Sequence, residues 1–397
     1  MDANALRIVH VFRAPLGGLF RHVIDLAVEQ ATRGHRIGLF FDSGGDEARV
    51  RNAIARIPGG AALGVVTAPI RRNPHPSDLA ALRAFSRFVA ATRPDVVHGH
   101  GSKGGIFARL VGGGDARPIR VYTPHGGSFN YRTGGARHRL YMIVERLVAR
   151  RTDLFLFESA HIREKYNAYV GVEAGIARVV VNGLGVSDFT TATPAPDATD
   201  ILYVGELRSA KGVDTLLEAL ALIRRLTGAA PSATLVGSGP DRDALIALAE
   251  RLGIGKRVTF PGPMPVAQAF ARGRVMVAPS RAESMPYIVL ESLAAQMPLL
   301  TTDVGGVPEI FGPYRERLLK PDDVSGFARA IQAELARPPH ERAKRAADLA
   351  DFVSRRFSLE NMVELVLSGY REALDRRDLD ARRKRERAGA GELVNEA

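Results

Sequence analysis

The 397-residue chain is long enough for two or three domains. With 46% hydrophobic and 25% charged residues it has the composition of an ordinary globular protein. It contains no Cys, which excludes disulfides, thiolate metal sites and a cysteine nucleophile and fits a reducing compartment. The net charge of +12 is unevenly placed: residues 1–190 carry 26 Lys/Arg against 15 Asp/Glu, a net of +11, and the rest is close to neutral. This asymmetry points the first half at a polyanionic partner, an anionic membrane surface or nucleic acid, against the plain alternative of an Arg-rich solvated surface. The N-terminus has no long apolar h-region, and no run approaches the roughly 18–20 uncharged apolar residues of a spanning helix. The expectation is a cytoplasmic protein without signal peptide or membrane span, free or peripheral on the inner face of the plasma membrane.

In chain order, Arg7–Phe12 reads as a strand, Leu19–Arg33 as a helix and Arg36–Phe41 as the next strand. Asp95–His98, Arg120–Thr123 and Leu154–Phe157 follow at helical separations. Thr190–Thr199, rich in Thr, Pro and Ala and without periodicity, reads as a linker. Alternation then restarts with strand Ile201–Val204 and helix Val213–Leu226. The strands Ala233–Val236, Arg257–Phe260, Val275–Ala278 and Leu299–Thr301 come next. From Asp322 the chain reads as helical; Ser358–Arg371 is long enough to return to the first domain, and Asp375–Arg387 is a solvated helix end. The pattern predicts an α/β protein of two doubly wound, Rossmann-like parallel-sheet domains facing across a cleft that opens and closes. Their bounds are 1–190 and 200–357, with a linker at 191–199 and a crossover helix and basic tail at 358–397. In such sheets ligands bind beyond the carboxyl ends of the strands.

Three motifs fall at those ends. Gly17 and Gly18 follow the first strand and open the first helix, where backbone amides and the helix dipole favour an anion. They could equally form a plain tight turn, and they do not make the GxGxxG fingerprint of dinucleotide binders. Gly205-Glu206-Leu207-Arg208-Ser209-Ala210-Lys211-Gly212 places two cations beside a helix start, which suits a diphosphate better than one charge would. Glu283-Ser284-Met285-Pro286-Tyr287-Ile288-Val289-Leu290-Glu291 puts one carboxylate in a loop and a second inside the following, largely apolar helix, with Pro286 suited to its first turn. An unpaired Glu291 there would be costly, so the two carboxylates are read as holding two parts of one extended ligand.

The E-x7-E motif resembles the signature of the retaining GT-B glycosyltransferases of family 4. Gly17-Gly18, the segment Gly205 to Gly212, Val236-Gly237-Ser238-Gly239-Pro240 and Val304-Gly305-Gly306-Val307-Pro308-Glu309 stand in the same order and spacing as in that family. The match covers the second domain well and the first loosely. The resemblance implies that Glu291 accepts hydrogen bonds from the donor ribose and that Glu283 sits by the donor sugar. It places Met285, Tyr287 and Ile288 near sugar and phosphate, Lys211 and Arg208 on the leaving diphosphate, and Gly237 and Pro261–Met264 about the nucleotide, Met264 at the base. Gly17 and Gly18 would meet the phosphates from the opposite side, and His125 of Thr123-Pro124-His125-Gly126-Gly127 would contact the transferred sugar. Glu206 stands where many members carry Arg, and Met285-Pro286 where the motif usually reads Phe-Gly. The implied chemistry is hexosyl transfer with retention from a nucleotide-diphosphate sugar, UDP- or GDP-linked, to a glycan or lipid-linked acceptor in bacterial surface or exopolysaccharide synthesis. It implies no cofactor and no metal.

Fixed cations aimed at a departing diphosphate lower the barrier without a divalent ion, and no Asp-x-Asp motif offers one a site. His98 and His100 end a strand and point to one face, but a zinc site needs a third ligand that the spacing does not supply. The segment Arg137–Arg151 reads as a helix with Leu140, Ile143, Val144, Leu147 and Val148 on one face. Either that face packs inward as a normal sheet cover, or its basic rim rests on an anionic membrane presenting a lipid-linked acceptor. Three competing functions remain. A nucleotide-sugar epimerase shares the two-domain form but not the E-x7-E signature. A nucleic-acid-binding protein fits the pI but lacks Trp, basic–aromatic interleaving and a reader motif, so nucleic acid is not the expected partner. An inactive scaffold would not need Glu283, Glu291 and Lys211.

Overall fold

A computed structural model describes residues 5–112, 117–130, 135–171 and 175–395. Residues 1–4, part of the stretch read for a leader, lie outside this set, as do the side chains of Arg137 and of 384, 385 and 387–395 in the basic tail. The chain divides into two compact units, Met1–Asn182 with Leu359–Ala397, and Gly183–Ser358.

The first unit is built on a parallel sheet of seven strands. They are β1 (Arg7–Phe12), β2 (Arg36–Asp42), β3 (Gly64–Ala68), β4 (Val96–His100), β5 (Ile119–Thr123), β6 (Leu154–Phe157) and β7 (Ile176–Val179), ordered β3-β2-β1-β4-β5-β6-β7. β4, β5 and β6 are buried along their whole length, as a parallel sheet covered on both faces requires. The edge strands β3 and β7 escape a sequence reading because only one residue of β3, and none of β7, is fully buried. The order in which strands are added reverses between β1 and β4, which are parallel hydrogen-bonded neighbours with His10 opposite His98 and Phe12 opposite His100. The helix Leu359–Asn395 belongs to this unit. Its Met362, Val363, Val366, Leu367 and Tyr370 share one core with Ile8 of β1 and with Val23, Ile24 and Leu26 of the helix Gly17–Thr32.

The second unit carries a five-stranded parallel sheet. Its strands are β8 (Thr199–Val204), β9 (Ala233–Val236), β10 (Val258–Gly262), β11 (Gly273–Ala278) and β12 (Leu299–Thr301), ordered β10-β9-β8-β11-β12. The segment read as a linker, 191–199, is part of this unit. Ala192 N–H donates to the Ala295 carbonyl, Ala195 N–H to that of Ala271, and Thr199 already belongs to β8. The helix Val213–Thr227 buries Val213, Leu216, Leu217, Leu220 and Ile223 against the sheet. It begins after Gly212 at φ +64, where a Cβ would stand 2.0 Å from the Pro279 carbonyl oxygen, so no other residue fits there.

Candidate functional site

In the second unit the switch point lies between β8 and β11, where a doubly wound sheet opens a crevice at its carboxyl edge. The loops leaving these strands carry the predicted charges and meet there. Lys211, in the short 3-10 turn Ser209–Lys211 after β8, places Nζ 2.6 Å from Oε1 of Glu283, which follows β11. The same oxygen accepts a hydrogen bond from the Ser280 hydroxyl at 2.7 Å. Arg208 Nε lies 2.8 Å from Oε2 of Glu206, so these two motif residues pair with each other. Tyr203 donates to the Glu206 carbonyl at 2.9 Å. Burial, reinforced by the Glu283 and Glu206 carboxylates, pushes its phenol well up, so it stays a donor.

Close backbone approach fixes the rest. Gly237 sits at φ +144 where a Cβ would fall 1.9 Å from the Gly205 carbonyl oxygen, pinning the end of β9 to that of β8. Gly305 (φ +60) lies against the Glu283 carbonyl, and Gly306 N–H donates to the Ser284 carbonyl at 2.8 Å, so the loop after β12 supports the Glu283 turn. Pro286 caps the helix Tyr287–Ala294 in extended conformation, one position ahead of the first helical turn expected for it. Met285 and Tyr287 are buried, while Ile288 and Glu291 are half-buried, with Glu291 just over one turn inside. Met264, beyond β10, is half-buried against Val236 and Met276.

Sequence reasoning missed Arg281. Its guanidinium holds Asp322 at 2.6 Å, Asp214 at 2.7 Å and the Ser209 carbonyl, clamping the two charged loops together. A lone Arg in a loop gives no sequence signal for such a clamp.

In the first unit Gly17 (φ +66) and Gly18 are exposed at the start of the helix Gly17–Thr32, at the end of β1. The histidine pair does not stand alone, although the sequence spacing shows no third ligand beside it. His10 of β1, His22 of the first helix and His125 after β5 join His98 and His100, with ring nitrogens of two triplets within 4.8 Å of one another. His10 Nδ1 pairs with His100 Nε2 at 3.0 Å, His100 Nδ1 with His125 Nε2 at 3.1 Å, and His10 Nε2 with Gln30 Oε1 at 2.8 Å. His98 is bound at both nitrogens, by Tyr370 at 2.7 Å and Thr123 at 2.8 Å. Burial pulls His10 and His22 down to about 4 and lowers His98, His100 and His125 well below the ordinary range, so the cluster is neutral. His125 itself sits at φ +49, a left-handed backbone costing a non-glycine residue about 1–3 kcal/mol. The following Gly126 N–H is held by the Glu158 carboxylate.

Of the two readings of the helix Ala136–Ala149, the structure disagrees with the one that packs its whole apolar face inward. Leu140, Ile143 and Leu147 are 54%, 58% and 73% exposed, in a stripe at spacings of three and four. The inward side carries His138, Met142, Val148 and Glu145. Glu145 lies 2.8 Å from Arg109 Nη1, and both side chains are fully buried. Tyr122 donates to Glu145 at 3.0 Å, and the Arg109 guanidinium lies 4.0 Å from the Tyr122 ring centroid. Exposed Arg139, Arg146, Arg150 and Arg151 flank the stripe.

Residues 16–187 match the model of glycosyltransferase family 4, and residues 189–350 that of the glycosyl transferases group 1. A Bacillus subtilis (strain 168) protein named as the glycosyltransferase EpsD is 30% identical over 335 residues, 77% of this chain and 84% of that protein. A Mycobacterium tuberculosis glycogen synthase is 27% identical over 361 residues, 84% and 86% of the two chains. Among solved structures, sucrose-phosphate synthase from Thermosynechococcus elongatus superposes with a TM-score of 0.76 at 20% identity, over 92% of this chain and 98% of that one. Anabaena HepE in complex with UDP-glucose superposes at 0.70 with 18% identity, over 91% and 98%.

Proposed function

The chain belongs to the family 4, group 1 glycosyltransferases and is a transferase of the GT-B fold; on that premise we propose that it moves a hexose, with retention, from a nucleoside-diphosphate sugar to a glycan or lipid-linked acceptor of a bacterial surface polysaccharide. The observation that carries this reading is the Lys211–Glu283 contact at the β8/β11 switch point. An anionic diphosphate arriving there exchanges partners with Glu283 and Glu206 and recruits Lys211 and Arg208. The C1–O bond to the β-phosphate breaks, and the acceptor oxygen bonds to C1 on the same face. The acceptor proton passes to a departing phosphate oxygen. Cations already fixed at that position stabilise the charge that grows on the leaving group. Glu283 then faces the sugar, Glu291 the ribose hydroxyls, and His125 carries the sugar contact implied by the family motif. The chemistry calls on no cofactor.

HepE is described with UDP-glucose, and a shorter match of 35% over 133 residues is to TuaC of Bacillus subtilis, named for teichuronic acid biosynthesis. UDP-glucose is therefore the first donor to try. Calorimetric titration of UDP, GDP, ADP and UDP-glucose in EDTA tests the site on wild type, Lys211→Ala and Glu291→Ala. Micromolar binding of one nucleotide, weakened at least tenfold in both variants, is expected. Binding of none of them overturns the reading.

The exposed stripe favours a second element, peripheral contact of the first unit with an anionic membrane. Among the described residues no helix is long and apolar enough to cross a membrane. Leu140, Ile143 and Leu147 present an apolar face at acyl depth, and each flanking Arg adds about 1 kcal/mol near an anionic surface. Flotation should recover the protein with phosphatidylglycerol vesicles, less so with Ile143→Glu/Leu147→Glu. Equal recovery with neutral vesicles sinks the idea.

A further inference from the structure

Four side chains of the first unit form one continuous line of hydrogen bonds: Gln30, His10, His100 and His125, at 2.8, 3.0 and 3.1 Å. Gln30, His10 and His100 are buried, whereas His125 is half-buried, so the line starts in the core and ends at its edge. Each inner imidazole uses both ring nitrogens within the line. A neutral imidazole has one donor and one acceptor, so fixing the proton at one end fixes it along the whole line. Gln30 Oε1 can only accept, which assigns the proton of His10 to Nε2 and leaves Nδ1 as acceptor. His100 must then donate from Nε2 and accept at Nδ1, and His125 must donate from Nε2. The outcome is a His125 ring whose free Nδ1 is an acceptor.

We infer that Gln30 and His10 are positioning residues that set the tautomer and ring orientation of His125 through His100, so that Nδ1 of His125 accepts a hydrogen bond from a hydroxyl of the transferred sugar. This rests on the proposed role of His125 in the transferase reading. Two further features hold the ring. The His125 backbone is kept in a left-handed conformation, and His22 packs edge-on against the ring at 4.7 Å between centroids. A metal ion would need the same nitrogens that the imidazoles already spend on one another, so the geometry favours ordered protons over a metal.

The first test needs no variant. Long-range 1H–15N spectra of the 15N-histidine-labelled protein at pH 7.5 should show His10, His100 and His125 neutral and protonated at Nε2. Protonation at Nδ1 in these three overturns the inference, whatever the enzyme's activity. One equivalent of Zn2+ should leave their signals unmoved; displaced His22, His100 and His125 signals would mean a metal site instead. Gln30→Leu should then give mixed His125 tautomers and about a tenfold lower kcat with little change in donor KM. Gln30→Glu, which still accepts from His10, should restore the tautomer and most of the rate. An unchanged His125 tautomer in a folded Gln30→Leu protein also overturns it. If wild type shows the expected tautomers but no transfer from any nucleotide sugar, the transferase reading fails and the tautomer assignment stands.

Discussion

Glu145→Ala is the perturbation whose size follows most directly from the structure. It removes the carboxylate from a pair in which Arg109 and Glu145 have 0% and 2% side-chain exposure and stand 2.8 Å apart. Arg109 keeps its bond from Nε to the Gly105 carbonyl and its stacking on Tyr122, but its charge is left buried without a counterion. Breaking such a pair on one side costs about 3–5 kcal/mol. Tyr122 and Ser128 lose their acceptor as well, which favours the upper half of that range. For a unit of this size each kcal/mol lowers Tm by roughly 2–4 °C, so the transition of the first unit should fall by about 6–20 °C in scanning calorimetry. Replacing both partners, Arg109→Leu/Glu145→Leu, removes the desolvation penalty together with the attraction and should recover most of the loss. A single variant that loses less than about 1 kcal/mol, or a double variant no more stable than the single, would refute the reasoning.

Other outcomes can be checked on the same preparations. Lys211→Ala should lower kcat/KM by about 10²–10³, the cost of one preorganised charge on a developing anion, in a protein that still folds. Gly237→Ala should abolish nucleotide binding and lower the Tm of the second unit, because its Cβ would stand 1.9 Å from the Gly205 carbonyl oxygen; wild-type binding would refute this. Acid should weaken the first unit early. His10 and His22 are held near 4 against an ordinary 6.5, so the unfolded chain binds more protons between those values, and stability falls as pH drops through that window. A Tm that stays flat from pH 7 to 4 would contradict the buried neutral cluster.

The parts of the fold legible in the sequence are those where burial is two-sided or the chemistry is local. β1, β2, β4, β5 and β6 read as strands because they are short, rich in β-branched and aromatic residues, and almost wholly buried. The β8 and β11 loops read as sites because Lys211, Glu283 and Glu291 lie in short motifs whose spacing is itself the signal. The histidine cluster is half legible: His98 and His100 share one face of a strand, but His10 reaches them through the β1–β4 pairing and His22 from the following helix, which no local pattern encodes. A His inside an otherwise apolar strand, as in Arg7–Phe12, was the one available hint. The helix Ala136–Ala149 misled because its apolar count favours one face, whereas a single buried carboxylate paired with Arg109 fixes the other face inward.

The divided first unit has a consequence for the making of the protein. Its sheet is complete once Asn182 has been synthesised, but the helix that supplies Met362, Val366 and Tyr370 to its core begins at Leu359. At about 5–20 residues per second, the intervening 176 residues take roughly 9–35 s to translate. Through that interval Ile8, Val23, Leu26 and the ring of His98 await their partner, while the second unit, continuous from Gly183 to Ser358, is complete in sequence before that helix begins. Assembly on the ribosome therefore runs in the reverse of reading order: the second unit is able to close first, and the first unit is sealed by a helix that emerges after it.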